Sequence, residues 1–235
     1  MRIIAHRSGP ITFPGQTIQS AKEALSLGAD MIELDVRLTK DGKVAISHDH
    51  NVGGFFNKDV CVDELTATEF LALRHKKHPE YGSHLFEDYL RCGVFPILIH
   101  VKEDRTIPAM LELSEKYECF DKVVLGVHSF EAVETIRNSG HDIKILSFCP
   151  DRDKIEMFCK SEVDYIRPWE GWLNDDNIAL VRKYGKEVWV MTGEVPGYYC
   201  GYTSPENLER IVNLGVDGIL INEVPKLKSI LDKKA

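Results

Sequence analysis

A chain of 235 residues fits one large domain, because α/β barrels commonly occupy about 200–250 residues as a unit. With 43% hydrophobic and 28% charged residues, it can bury a sizeable core without disulfides or structural metal. A net charge of −8 gives no electrostatic footprint for nucleic acid or an anionic membrane surface, so neither is expected as a partner.

The sequence opens on Met1-Arg2-Ile3-Ile4-Ala5-His6, which lacks the apolar segment of a secretory leader. No apolar run approaches the roughly 18–20 residues needed to cross a bilayer, so no membrane insertion is expected. The cysteines, Cys61, Cys92, Cys119, Cys149, Cys159 and Cys200, form no C-x-x-C pair and no metal-ligand spacing. They read as reduced packing thiols, and the expected location is cytoplasmic.

Arg2–His6 is the first predicted strand, followed by a helical pattern over Thr17–Leu27. Met31–Val36 and Val44–Ser47 come next, separated only by Arg37–Lys43 with its turn dipeptide Asp41-Gly42. Parallel neighbours need a crossover of about a dozen residues, so these two strands must be antiparallel. Residues 51–95 form a long connection whose one clear helix lies around Glu64–Arg74. Strands then alternate with helices. The strands are Ile97–Lys102, Val123–Val127, Ile143–Ser147, Tyr165–Arg167, Glu187–Met191 and Gly218–Ile221. The helices between them are Pro108–Tyr117, Glu131–Asn138, Asp151–Cys159, Asp175–Tyr184 and Pro205–Asn213. Setting Val44–Ser47 aside as a hairpin arm leaves eight parallel strands. The predicted fold is therefore α/β: a (β/α)8 TIM barrel with a β-hairpin insertion after the second strand, one domain over residues 1–235.

In such barrels the reacting groups sit at the C-terminal ends of the strands. There the sequence places His6-Arg7, Glu33 and Asp35, His48-Asp49, and His100 with Lys102. Glu33 and Asp35 are two apart on one strand, so both carboxylates face one way about 7 Å apart along the backbone. They repel unless something positive lies between them, and a divalent cation suits hard oxygen ligands. The plainer alternative is a salt-bridged pair on an exposed edge, which the flanking Ile32, Leu34 and Val36 disfavour. His6 and His48 titrate near neutral pH and are candidates for proton transfer. Arg7 and Lys102 suit phosphate oxygens; their alternative role is to balance the two carboxylates.

With these residues placed, the chain resembles the glycerophosphodiester phosphodiesterase family of the phospholipase C-like phosphodiesterase barrels. The matching segments are Ala5-His6-Arg7, Gly28 to Val36, Thr39-Lys40-Asp41-Gly42 and Val44 to Asp49. Weaker matches follow at Ser129-Phe130, Trp189 to Thr192 and Gly215 to Ile219. The resemblance implies an enzyme that hydrolyses a small phosphodiester to an alcohol and a phosphomonoester. It implies His6 and His48 as the acid–base pair, Arg7 and Lys102 as phosphate-binding residues, and Glu33 and Asp35 as ligands of a divalent metal.

Two positions depart from the family pattern. Its Pro-Glu-Asn-Thr reads Pro14-Gly15-Gln16-Thr17, which removes a carboxylate. Its I-E-I-K reads Ile99-His100-Val101-Lys102, which makes His100 the third expected metal ligand. Exchanging a carboxylate for a neutral imidazole removes one of three negative charges around the ion. The expected cofactor is then Mg²⁺, Ca²⁺ or Mn²⁺, with His100 favouring a transition metal. The missing carboxylate at Gly15 also motivates an alternative, a barrel that binds a phosphorylated ligand without turnover, with Arg7 and Lys102 still holding phosphate. A third reading is metal-free cleavage in which a protonated His100 replaces the cation. Aromatic, Gly-rich segments at Trp169 to Trp172 and Glu194 to Tyr202 are expected at the same mouth. Glu170 or Glu194 could stand in for the lost acid.

Overall fold

Nine short runs rich in aliphatic and β-branched residues pair into one sheet, and eight of them close into a ring. The computed structural model describes residues 1–234. Its strands are β1 (Arg2–Ala5), β2 (Met31–Leu38), β3 (Val44–Ile46), β4 (Ile97–Val101), β5 (Val123–Val127), β6 (Lys144–Phe148), β7 (Tyr165–Arg167), β8 (Glu187–Met191) and β9 (Gly218–Ile221). Around the ring the order is β1-β9-β8-β7-β6-β5-β4-β2, and parallel pairing of Ile4 with Met31 joins β1 back to β2. Strand β3 pairs antiparallel with β2 through Val36 and Ile46 and stands outside the ring, as the Arg37–Lys43 spacing requires. The barrel with its hairpin insertion is thus the observed architecture.

The strands read as near-continuous apolar runs because both of their faces are buried. Outward-facing residues such as Ile3, Ile32, Leu34, Ile97, Ile99 and Leu125 pack with the surrounding helices in one large core. Inward-facing residues (Ile4, Met31, Leu98, Val124, Leu146, Phe148, Trp189, Met191 and Leu220) form a separate cluster that fills the barrel. Helix starts follow local capping chemistry. Thr17 accepts from the Ser20 N–H to begin Ile18–Ser26, and Asn174 and Ser204 do the same for Asp175–Lys183 and Pro205–Asn213. The predicted Glu64–Arg74 helix contracts to Ala67–Leu71. Helices Phe86–Arg91 and Val224–Asp232 were not expected from the pattern. The first has under two turns, too few for a period to show, and the second presents only Val224 and Leu227 as buried residues.

What matters for function is where the inward register leads. Continuing each alternation toward the C-terminal end of its strand changes the residues from apolar to polar. Ile4 leads to His6, Met31 to Glu33 and Asp35, Leu98 to His100 and Lys102, Val124 through Gly126 to His128, Tyr165 to Arg167 and Leu220 to Asn222. The apolar floor at one end and the polar mouth at the other are one pattern. Gly126 makes room in it: a Cβ there would lie 2.1 Å from the ring of Phe148, which fills that space.

Candidate active site

The backbone turns sharply as it leaves β1. Arg7 sits in the left-handed region (φ 49) inside a 3-10 turn over His6–Ser8, a conformation that costs a non-glycine residue about 1–3 kcal/mol. Three bonds hold it there: its N–H donates to Glu33 Oε2 (2.7 Å), and its carbonyl accepts from the Gln16 N–H (2.8 Å) and the Ser8 hydroxyl (2.7 Å). The turn aims His6 into the mouth. Its Nδ1 lies 2.9 Å from Asn222 Oδ1, and Asn222 Nδ2 faces the Cys200 carbonyl, so His6 Nδ1 carries the proton. The Nε2 lone pair is left toward the open side, 3.8 Å from Cys200 Sγ. Burial, and then the Arg7 charge, lower the His6 pKa to about 4, so the ring is neutral at pH 7.

Both carboxylates of β2 are buried. Burial and the neighbouring Asp35 push Glu33 up to about 8. Burial works against the charge of Asp35 as well, but the Lys102 ammonium outweighs it and holds Asp35 well below the usual range. Asp35 is the hub. Lys102 Nζ lies 3.1 Å from its Oδ1 and His100 Nδ1 2.9 Å from the same oxygen. Arg7 Nε lies 3.6 Å from its Oδ2, to which the Gln16 side chain donates at 3.0 Å. His100 Nδ1 is also 3.7 Å from Glu33 Oε1, and its ring stacks on Phe148 with centroids 3.9 Å apart.

These donors fit a divalent cation. One atom each from Glu33, Asp35 and His100 lies within 4.8 Å of the others. Asp35 Oδ1 is buried and has no hydrogen bond of proper geometry among the described residues, only the Lys102 ammonium at 3.1 Å and His100 Nδ1 at 2.9 Å. Glu33 holds a raised pKa in their company, which a bound cation would reverse. A second cluster, His50, Cys61 and Asp63, is nearer the surface, and Arg105 already pairs with Asp63 at 3.1 Å. Burial comes first among the causes that hold His100 well below the ordinary imidazole range, so a protonated His100 in place of a cation is disfavoured.

His48 follows β3, with Nδ1 2.7 Å from Asp49 Oδ1, which leaves Nε2 free. Burial holds it below the ordinary imidazole range against the pull of Asp35 and Asp49. His48 shares a cavity of about 400 Å³ with His6, Arg7, Gln16 and Asn222. Much of the remaining lining is aromatic: Phe55, Phe56, His75 and His84 come from the long connection, Tyr199 and Tyr202 from the loop after β8. Glu33, Asp35, His100 and Lys102 do not line this cavity. They join it through Arg7 and Gln16, which touch both.

All seven residues singled out in the sequence therefore fall at one end of the barrel: Arg7, Glu33, Asp35, His100 and Lys102 are joined by close polar contacts, and His6 and His48 line the adjoining cavity with Arg7. Glu170 does not replace the lost acid. It is buried and committed, accepting from the Gly193 N–H at 2.9 Å and the Thr203 hydroxyl at 2.7 Å. Glu194 does line the cavity, and Trp169 packs over Arg167. The residues not anticipated are Gln16, Asn222, Cys200, His128 and Arg167. Inward alternation at the strand ends, followed two residues further, would have found Asn222, His128 and Arg167. The guanidinium of Arg167 is buried between Phe148 (4.8 Å) and Trp169 (4.3 Å), and its Nε and Nη1 have no hydrogen-bond partner among the described residues. Burial lowers its pKa to about 10, which still leaves it charged.

The fold is that of the glycerophosphodiester phosphodiesterase barrels. The glycerophosphodiester phosphodiesterase of Agrobacterium tumefaciens superposes with a TM-score of 0.82 at 20% identity, over 97% of this chain and 99% of that one. An Oleispira antarctica phosphodiesterase in complex with the product sn-glycerol-3-phosphate gives 0.82 at 17% identity, over 99% and 97%. The family model described as "Glycerophosphoryl diester phosphodiesterase family" matches residues 6–163, more than half of the chain, and the chain belongs to that family. The glycerophosphodiester phosphodiesterase of Caldanaerobacter subterraneus subsp. tengcongensis is 25% identical over 250 residues, covering 98% of each chain. Human lysophospholipase D GDPD1 is 28% identical over 165 residues, which cover 61% of this chain and 50% of that protein. No helix among the described residues is long and apolar enough to cross a membrane.

Proposed function

We propose that the chain hydrolyses a glycerophosphodiester to an alcohol and a phosphomonoester, with a divalent ion held by Glu33, Asp35 and His100. The observation that carries this reading is the convergence of those three donors beside two histidines that each keep a free Nε2. When bound, the ion offsets the negative charge that grows on the phosphate oxygens. Arg7 and Lys102 hold the phosphate, and the buried Arg167 adds a third fixed positive charge to the mouth.

His6 is suited to be the base. Its proton is fixed on Nδ1 by Asn222 and its Nε2 is unprotonated at neutral pH, ready to take the proton of the glycerol hydroxyl that attacks phosphorus. His48 is suited to be the acid, because Asp49 supports its imidazolium and a bound phosphodiester anion adds to that support. The proton of His48 goes to the departing alcohol as its bond to phosphorus breaks. Water then opens the cyclic diester with the two roles reversed. The alcohol half faces the aromatic wall of Phe55, Phe56, Tyr199 and Tyr202, which favours a bulky or apolar group over a small polar one.

Phosphorus NMR of the purified protein with glycerophosphocholine or a lysophospholipid tests the reading. Product phosphomonoester is expected with Mn²⁺, Mg²⁺ or Ca²⁺ and is lost on chelation. Gly15 in place of a family carboxylate keeps one competing reading alive, a barrel that binds phosphodiesters without turning them over. Saturable binding with no product under any metal would establish that reading instead.

A further inference from the structure

At the polar end of the barrel, the imidazole of His100 meets a second imidazole that the reaction above does not use. His128 follows β5 on the inward register of Val124 and Gly126, at the rim of the mouth. Its Nδ1 lies 3.0 Å from the backbone carbonyl of Phe148. A carbonyl only accepts, so this nitrogen carries a proton. A neutral imidazole has one N–H, which makes His128 Nε2 an acceptor. That atom lies 2.6 Å from His100 Nε2. Two ring nitrogens this close share one hydrogen, and His100 must supply it.

The consequence falls on the other side of His100. With its proton on Nε2, Nδ1 bears a lone pair, and Nδ1 is the atom 2.9 Å from Asp35 Oδ1 and 3.7 Å from Glu33 Oε1. Two acceptors then face each other, and the Lys102 ammonium, 3.2 Å from Nδ1 and 3.1 Å from Asp35 Oδ1, offsets this by donating to the nitrogen while its charge sits beside the carboxylate. The opposite assignment sets a lone pair of His128 against the Phe148 carbonyl and leaves that carbonyl without its donor. Phe148 thus acts twice: its carbonyl fixes the proton order, and its ring, seated in the space left by Gly126, fixes the plane of His100.

We propose that His128 is a positioning residue that sets the tautomer of His100, turning the Nδ1 lone pair toward Glu33 and Asp35. Resting on the reading of those three residues as a metal site, this makes His100 a pre-set neutral nitrogen ligand. A fixed nitrogen favours Mn²⁺, Co²⁺ or Zn²⁺ over Ca²⁺.

Nitrogen-15 NMR of the metal-free protein reads the tautomer without reference to any ion. His100 is expected to show an unprotonated Nδ1 and a protonated Nε2, and this order is expected to be lost in His128→Phe. A protonated His100 Nδ1 in the wild type, or an unchanged tautomer in His128→Phe, overturns the proposal. Calorimetric titration with MnCl2 supplies the second reading. His128→Phe is expected to weaken binding about 10–100-fold, whereas His128→Gln, whose amide can donate to Phe148 and accept from His100, restores most of it. Equal affinity in all three proteins counts against the proposal. Should Mn²⁺ binding prove indifferent to Glu33→Gln, the metal site itself is wrong, and the NMR result still decides the tautomer.

Discussion

His6→Ala is expected to lower kcat for a glycerophosphodiester by about 10²–10⁴-fold, the range that a positioned acid or base contributes. The loss should fall on kcat more than on KM if Arg7 and Lys102, and not the imidazole, hold the phosphate as proposed. The variant should still fold. His6 makes one side-chain bond of good geometry, to Asn222, and leaving that oxygen unpaired costs about 1–3 kcal/mol. The pH profile gives a separate check. With the His6 pKa lowered to about 4, a base at this position is already unprotonated at pH 5.5, so the acid limb of kcat/KM should lie near pH 4 and not near 6.5. A His6→Ala enzyme that keeps more than a tenth of wild-type kcat would remove His6 from the chemistry.

Asp35→Asn should be the more damaging change to the protein itself. The substitution keeps the shape and deletes the charge at which Lys102, His100 and Arg7 meet. Removing one partner of a buried charge network typically costs about 3–5 kcal/mol, because the remaining charges stay buried without compensation. Saturating divalent metal should stabilise the wild type, by about 2.7 kcal/mol at a hundred times Kd, and should not stabilise the variant. Thermal unfolding with and without Mn²⁺ measures both effects. Equal stabilisation of the two proteins would mean that the ion binds elsewhere, with His50, Cys61 and Asp63 the next place to look.

The barrel was legible because its signals are local. The seven residues of Arg37–Lys43 can only turn a hairpin, and that fact separates β3 from the eight staves. The strand-end acids and bases were legible for the same reason: E-x-D on a strand and His-Arg at a strand end are short patterns with fixed directions. The aromatic wall was not, since Phe55, Phe56, His75 and His84 belong to an irregular segment whose approach to the mouth depends on long-range packing. Between Glu170 and Glu194 as stand-ins for the lost acid the sequence offers no choice, because nothing in it shows that the Gly193 N–H and the Thr203 hydroxyl occupy Glu170. The pairing of His100 with His128 also escaped notice. It joins residues 28 apart whose contact exists only once β4 and β5 are in register, with His100 beside Gly126.

The proposed function stands or falls on whether Glu33, Asp35 and His100 bind one divalent ion at the polar end of the barrel. A crystal soaked in MnCl2, with anomalous scattering recorded for manganese, tests it most directly. One strong peak is expected within about 2–2.3 Å of an oxygen from each carboxylate and of His100 Nδ1, the distances of nitrogen and oxygen ligands to a first-row metal. A peak away from these three atoms, or none at saturating Mn²⁺, would contradict it.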